Sequence, residues 1–218
     1  MKISLQMIVI AALFLSGCSK RMNETYGSFD KKYGCIGMLP FYVDSSNNPA
    51  GELLAGYLGI DMYRDGIEIL GPSEIAKVFN EGRVYFPKRF TRELAMEYAT
   101  LMGFDGVLFG NLLKTDREIE GKKSDRMDMQ LYFLDVNEAK IVWVHNERIL
   151  VGQRNYNDVF KKKSAEILNR LISAGFHQSG SGTPCFDVSL ADNLKSLSEI
   201  SRENFNSLSS GLAEVHED

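Results

Sequence analysis

Apolar positions along the 218 residues change their spacing from block to block, and each spacing names an element. The run CIGMLPFYV, Cys35 to Val43, is almost continuously apolar and of strand length, which suits a strand covered on both faces. Pro40 has no ladder donor and belongs near that strand's end or on an edge. Asn48 and Pro49 then offer a cap and a first helical position for a helix that places Leu53, Leu54, Tyr57, Leu58 and Met62 on one side. Gly56 and Gly59 each cost that helix about 1 kcal/mol relative to alanine, which predicts close packing on a sheet as compensation.

IEILG, Ile67 to Gly71, predicts a second short strand, and Pro72 opens a helix with Ile75, Val78 and Phe79 at helical spacing before Gly82. Thr91 caps a further helix with Leu94, Tyr98, Leu101 and Met102 inward, ended by Gly103. DGVLFGNLL, Asp105 to Leu113, is a third apolar strand, and the charged stretch Lys114 to Arg126 predicts a solvated hairpin loop. Met127, Met129, Leu131 and Phe133 alternate with polar neighbours, a turn follows over Asn137 to Lys140, and IVWVHNE sets Ile141, Trp143 and His145 on one strand face. A last helix from about Asn157 buries Phe160, Ile167, Leu168, Leu171 and Ile172 and leaves Lys161, Lys162 and Lys163 wetted. The predicted fold class is α/β, a single domain with a mixed five-stranded sheet in the order β-α-β-α-α-β-β-β-α. Helices between the early strands argue for parallel crossovers, and short links between the last three argue for an antiparallel meander.

Two flanking segments stand outside this pattern. At the amino end Lys2 precedes thirteen residues, Ile3 to Leu15, in which only Ser4 and Gln6 are polar, and then Ser16 and Gly17 precede Cys18. That is a charged n-region, an h-region of secretory length and a small-residue cleavage zone, short of the roughly 20 apolar residues that a spanning helix needs. Leu15-Ser16-Gly17-Cys18 also resembles the lipobox of bacterial lipoproteins. The resemblance implies cleavage before Cys18, acyl chains such as palmitate on that residue, and export to the envelope. Two or more buried chains hold a protein stably, at about 0.8 kcal/mol per methylene. Ser19 and Lys20 follow the cysteine, where an aspartate would favour the inner membrane, so the expected location is the outer membrane, facing the periplasm. Residues 1–17 are thus read as signal peptide, 18–32 as tether, 33–175 as the domain and 176–218 as tail.

The tail carries seven carboxylates against Lys195 and Arg202, a net charge of −5, while residues 18–175 balance. Without a basic footprint no nucleic acid partner is expected. In the tail Leu190, Leu194, Leu197, Phe205, Leu208, Leu212 and Val215 recur at spacings of three and four, the stripe of one or two amphipathic helices. The stripe suits packing on the chain's own domain or docking of a partner, and nine serines leave disorder open as a third reading. Cys35 and Cys185 form an even remainder beside Cys18 in an oxidising compartment, so a disulfide between them is possible, as is a buried thiol at Cys35.

The succession IGMLPF, GELLAGYL, ILGPSEIAKVF, MGFDGVLFGNL and MQLYFLDVNEAKIVW is similar to a superfamily of bacterial envelope lipoproteins. It includes the curli secretion channel CsgG, the penicillin-binding-protein activator LpoB and domains like the amino-terminal part of TolB. Pro40 and Phe41, Gly103 to Gly110 and Leu134 to Trp143 occupy the family's motif positions, with Glu138 and Ala139 where a glycine is common. The resemblance covers core and turn residues over about 140 positions and carries no catalytic set. It implies a lipid-anchored adaptor or regulator of envelope assembly or secretion that binds an envelope protein, with a homo-oligomer as a further option. The alternative it implies is a subunit of an oligomeric secretion channel.

The residues themselves offer little chemistry. His145, His177 and His216 show no ligand spacing, and no metal or cofactor is expected. No nucleophile elbow or phosphate loop occurs, and GFDGVLFG reads as glycines for turns and packing. The expectation is a protein without enzymatic activity.

Overall fold

The computed structural model describes residues 24–44, 49–81, 87, 89–119, 122–151 and 156–178. Cys18, Cys185 and the whole tail stripe therefore lie outside the described residues.

The apolar run at Cys35 divides into two pieces that share one partner. With β1 at Glu24–Gly27, the run forms β2 (Ile36–Met38) and β3 (Tyr42–Val43), both parallel to β5 (Gly106–Ile119). Between Met38 and Tyr42 the chain advances four residues while β5 advances three, Leu108 to Asn111, so Pro40 sits in a one-residue bulge where its missing donor costs nothing. Helix α1 (Ala50–Arg64) leads to β4 (Ile69–Leu70), parallel to β2 at the sheet's edge. Helices α2 (Pro72–Glu81) and α3 (Arg92–Leu101) return the chain to β5, and β5, β6 (Lys122–Asp135), β7 (Lys140–Leu150) and β1 then run antiparallel. Helix α4 (Tyr156–Ser173) closes the described fold. The spatial order is β1-β7-β6-β5-β2-β4, with β3 also on β5.

Among the described residues the mixed sheet and four helices agree with the predicted class, and the sheet has seven strands instead of five. One addition is the division at Pro40. The other is β1, which falls among residues assigned to the tether and has too few apolar positions for a strand signal. Its anchorage is tertiary: Phe29, just after it, donates its backbone N–H to Ala174 (2.9 Å) and packs edge-to-face on Phe133 and Phe176.

The expected loop at Lys114 to Arg126 is instead the outer half of a ribbon. Strands β5 and β6 are 14 residues each and pair from Gly106↔Asp135 out to Ile119↔Lys122. Charge alternation hid the strand, because Lys114 to Arg126 carries no apolar stripe at period two.

Two cores sandwich the sheet. On one face α1 and α4 bury Leu54, Leu58, Met62, Phe160, Ile167 and Leu171 against Met127, Met129, Leu131, Phe133 and Trp143. On the other, α2 and α3 bury Ile75, Phe79, Ala95, Tyr98 and Ala99 against Phe104, Val107, Phe109 and Leu134. Thr91 caps α3 as expected, its hydroxyl accepting from the Leu94 N–H at 3.3 Å. Of the two α1 glycines expected to pack closely on the sheet, Gly59 does, a Cβ there lying 3.6 Å from Met38 of β2 and 3.8 Å from Ile69 of β4. A Cβ on Gly51 would lie 2.3 Å from the Phe41 carbonyl oxygen, whereas Gly56 has open space around it. Ala139 takes the left-handed conformation, φ 51°, at the β6–β7 turn.

Candidate partner-binding face

Alternation in four adjacent strands generates the site. Phe109, Tyr132, Val144 and Tyr26 form one row across β5, β6, β7 and β1; Asn111, Gln130, Asn146 and Glu24 form the next; Leu113, Asp128 and Arg148 a third; and Arg126 and Leu150 stand beyond. A bulge between Phe133 and Leu134 lets Ile141 and Val144 share this face although they are three apart. The second core reaches Phe109, Tyr132 and Ile141 and goes no further along these rows. Tyr26 and Leu150 are consequently 53% and 63% exposed, while the amide row is half-buried or buried.

The polar groups here are partly matched. Arg148 grips Asp128 through two hydrogen bonds, 2.7 and 3.1 Å, and the Tyr132 hydroxyl donates to Gln130 Oε1 at 3.2 Å. Asn111 Oδ1, Asn146 Oδ1 and Arg126 Nε are buried without a hydrogen-bond partner. Each such group costs about 1–3 kcal/mol, so the face holds unused hydrogen-bonding capacity. At its border Arg89, Phe90, Thr91, Arg92, Phe109, Asn111, Tyr132 and Ile141 line a pocket of 280 Å³. The floor is aromatic, Phe109 stacking on Tyr132 with centroids 5.3 Å apart. Its charged lining is two arginines: Arg89 lies over the Tyr42 ring (5.4 Å), and Arg92 donates to the Ala139 carbonyl (2.6 Å). Such a cup accepts an apolar group that carries a carboxylate beside it.

The opposite face holds a buried polar cluster that the sequence did not announce. His145, whose polar neighbours suggest a strand surface, is fully buried and stacks on Trp143 with centroids 5.7 Å apart. Its Nδ1 is 2.9 Å from Thr25 Oγ1 and its Nε2 is 3.2 Å from Glu147 Oε2. The other Glu147 oxygen accepts from Lys163 (2.5 Å), which also meets Glu166 (2.6 Å). Lys163, read from the sequence as wetted like its neighbours, is mostly covered instead. Burial alone would raise the Glu147 carboxyl, but hydrogen bonds from His145 and Lys163 and the ammonium charge hold it down to about 2. Burial likewise opposes the Lys163 charge, and the two carboxylates beside it prevail and raise its pKa. Both imidazole nitrogens are engaged inside the fold, so the hydroxyl–imidazole–carboxylate order serves to fasten α4 and β1 to β7.

A second cluster stitches the chain ends. Asp135, fully buried, accepts from Tyr33 (3.0 Å), Lys31 (2.6 Å) and the Glu138 N–H (2.9 Å). Burial opposes the charge, and those three donors lower its pKa. Gln178 bonds Gly34 and Glu68, tying the segment after α4 to the chain beside β2 and β4. The glycine segment behaves as read: Gly103 turns with φ +69°, and a Cβ at Gly106 or Gly110 would fall 2.5 Å from the Phe133 ring or 2.3 Å from the Gln130 carbonyl. Cys35 is half-buried against the second core and disulfide-bonded. Among the described residues no group of three or more His, Cys, Asp or Glu is placed to hold a metal ion, and no helix is long and apolar enough to cross a membrane.

No protein-family model matches the chain, and no curated protein matches it. Solved structures do. The chain is similar to the PelC dodecamer from Paraburkholderia phytofirmans, with a TM-score of 0.47 and 13% identity over 68% of this chain and 95% of that one. It is similar to lipoprotein GNA1162 from Neisseria meningitidis, with a TM-score of 0.48 and 12% identity over 64% and 99%. The LpoB C-terminal domain from Salmonella enterica gives 0.40 and 14% identity over 56% and 87%. These likenesses are of fold only.

Proposed function

We propose that this chain is a lipid-anchored envelope adaptor without enzymatic activity, tethered to the outer membrane through acyl chains on Cys18 and binding a protein partner on its open sheet face. The observation that carries the reading is that face: four strands present Tyr26, Val144, Leu113 and Leu150 around a row of amides in which the Asn111 and Asn146 side-chain oxygens have no partner. A protein surface with apolar side chains and backbone amides suits it better than a small molecule, because the rows are broad and shallow. The amino-terminal pattern supplies the address.

A photo-crosslinking residue at Tyr26 or Leu113, in intact cells, is expected to trap one protein of constant mass. Leu150→Asp should abolish the adduct, and the same probe at Tyr63, 76% exposed on α1 across the sheet, should trap nothing comparable. Equal labelling at all three positions would overturn the assignment of the face.

The length of the β5–β6 ribbon favours a second reading, a channel subunit, since 14-residue strands exceed the roughly 9–11 that cross a membrane. Composition opposes it: Asp116, Arg117, Glu118, Lys122, Lys123 and Asp125 leave no alternating apolar band. Single-channel steps from pure protein in planar bilayers would place the channel first; none is expected.

A further inference from the structure

We infer that the arginine-rimmed pocket beside the open face is the docking site of this chain's own acidic tail, specifically the segment from Asp187 to Leu197. The inference rests on the open-face reading only in taking that face to be exposed, and it concerns the pocket at its border.

The first argument is chemical fit. The pocket offers an aromatic floor (Phe90, Phe109, Tyr132) and a rim of Arg89 and Arg92, with no carboxylate among the described residues that line it. Taken as a helix, the segment puts Leu190, Leu194 and Leu197 within one narrow stripe at 100° per residue, and Asp187 falls on the same stripe while Asp192 and Glu199 fall opposite. An apolar ridge headed by a carboxylate is the shape and charge that the pocket lacks. Arg89 is the natural counterion, because Arg92 already donates to the β6–β7 turn. Asn111, 9% exposed and with its Oδ1 unpartnered, lines the same pocket and can meet a donor from the incoming segment.

The second argument is reach. Cys35 is disulfide-bonded and packs on the second core, the pocket's side of the sheet. On the proposed lipidation of Cys18, Cys185 would be the cysteine left to bridge it, and the tail would then set out from that side. Ile36, next to Cys35, pairs with Gly106, and Asn111 lies five residues further along β5, roughly 17 Å away. A helix from Asp187 to Leu197 covers about 16 Å.

The test is a charge swap in the full mature chain, read by the rate of proteolytic cleavage within residues 186–198. Arg89→Glu and Asp187→Lys should each speed cleavage about tenfold, and the double variant should return it to near the parent rate. Leu194→Asp should speed cleavage without rescue by any Arg89 substitution. Rescue by the swap cannot come from a general loss of folding. Equal rates in all four proteins, or acceleration without rescue, would overturn the assignment. If cleavage is fast in every protein while crosslinking from Tyr26 persists, the tail does not occupy the pocket and the adaptor reading survives; loss of crosslinking with the swap still working gives the converse.

Discussion

At the scale of residues, the buried Glu147 carboxylate tests the energetics most directly. A carboxyl held at about 2 in the fold against an ordinary 4.5 contributes stability that is complete above about 4.5 and disappears as pH falls toward 2. Urea denaturation is therefore expected to show stability falling by a few kcal/mol across that window. Lys163→Met should remove about 3 kcal/mol at pH 7, because a buried carboxylate deprived of its cation is left with His145 alone. A loss below about 1 kcal/mol would mean that solvent replaces the ammonium. Neither residue was legible as a pair in the sequence. Lys163 stands in a run of three lysines, and only helix phase against β7 separates it from Lys161 and Lys162.

Among the elements, α1 carries two glycines with opposite expected behaviour. Gly56→Ala meets open space and should stabilise by about 1 kcal/mol through helix propensity, whereas Gly51→Ala drives a methyl into the Phe41 carbonyl and should destabilise by more than that. Thermal melts of the two variants decide it; equal shifts would contradict the packing of α1 on the Phe41 turn. Both glycines look alike in sequence, where helix cost leads to an expectation of close packing at Gly56 and Gly59, and of those two Gly59 meets the sheet. The Gly51 contact depends on where the chain arrives after Pro40, which helix periodicity does not encode. The cysteines belong to this scale as well. A Cys35–Cys185 bridge would close a loop of about 150 residues, which the entropic model values at about 4–5 kcal/mol. Mass spectrometry of unreduced peptides from exported protein should find the Cys35–Cys185 pair, and two free thiols would end that assignment.

For the whole molecule, the proposed reading assigns anchoring and binding to separate segments. Cys18→Ala is expected to move the protein from the membrane fraction to the soluble periplasm, with carbonate-resistant membrane association as the contrary result. Sequence by itself determined most elements and their order, because buried strands and amphipathic helices must repeat apolar residues at periods of about 2 and 3.6, and it carries the pattern expected of a secretory address, because a peptidase reads local pattern. Tertiary structure alone decided that β1 joins the sheet, that the charged stretch after Leu113 continues as a ribbon, that His145 is buried with Glu147 and Lys163, and that no helix among the described residues extends the second core over the outer rows of one sheet face. Those outcomes depend on which surfaces the helices cover. A polar residue under a helix and one facing solvent are written identically in the chain, and only the packing of α1 and α4 on one side and α2 and α3 on the other distinguishes them.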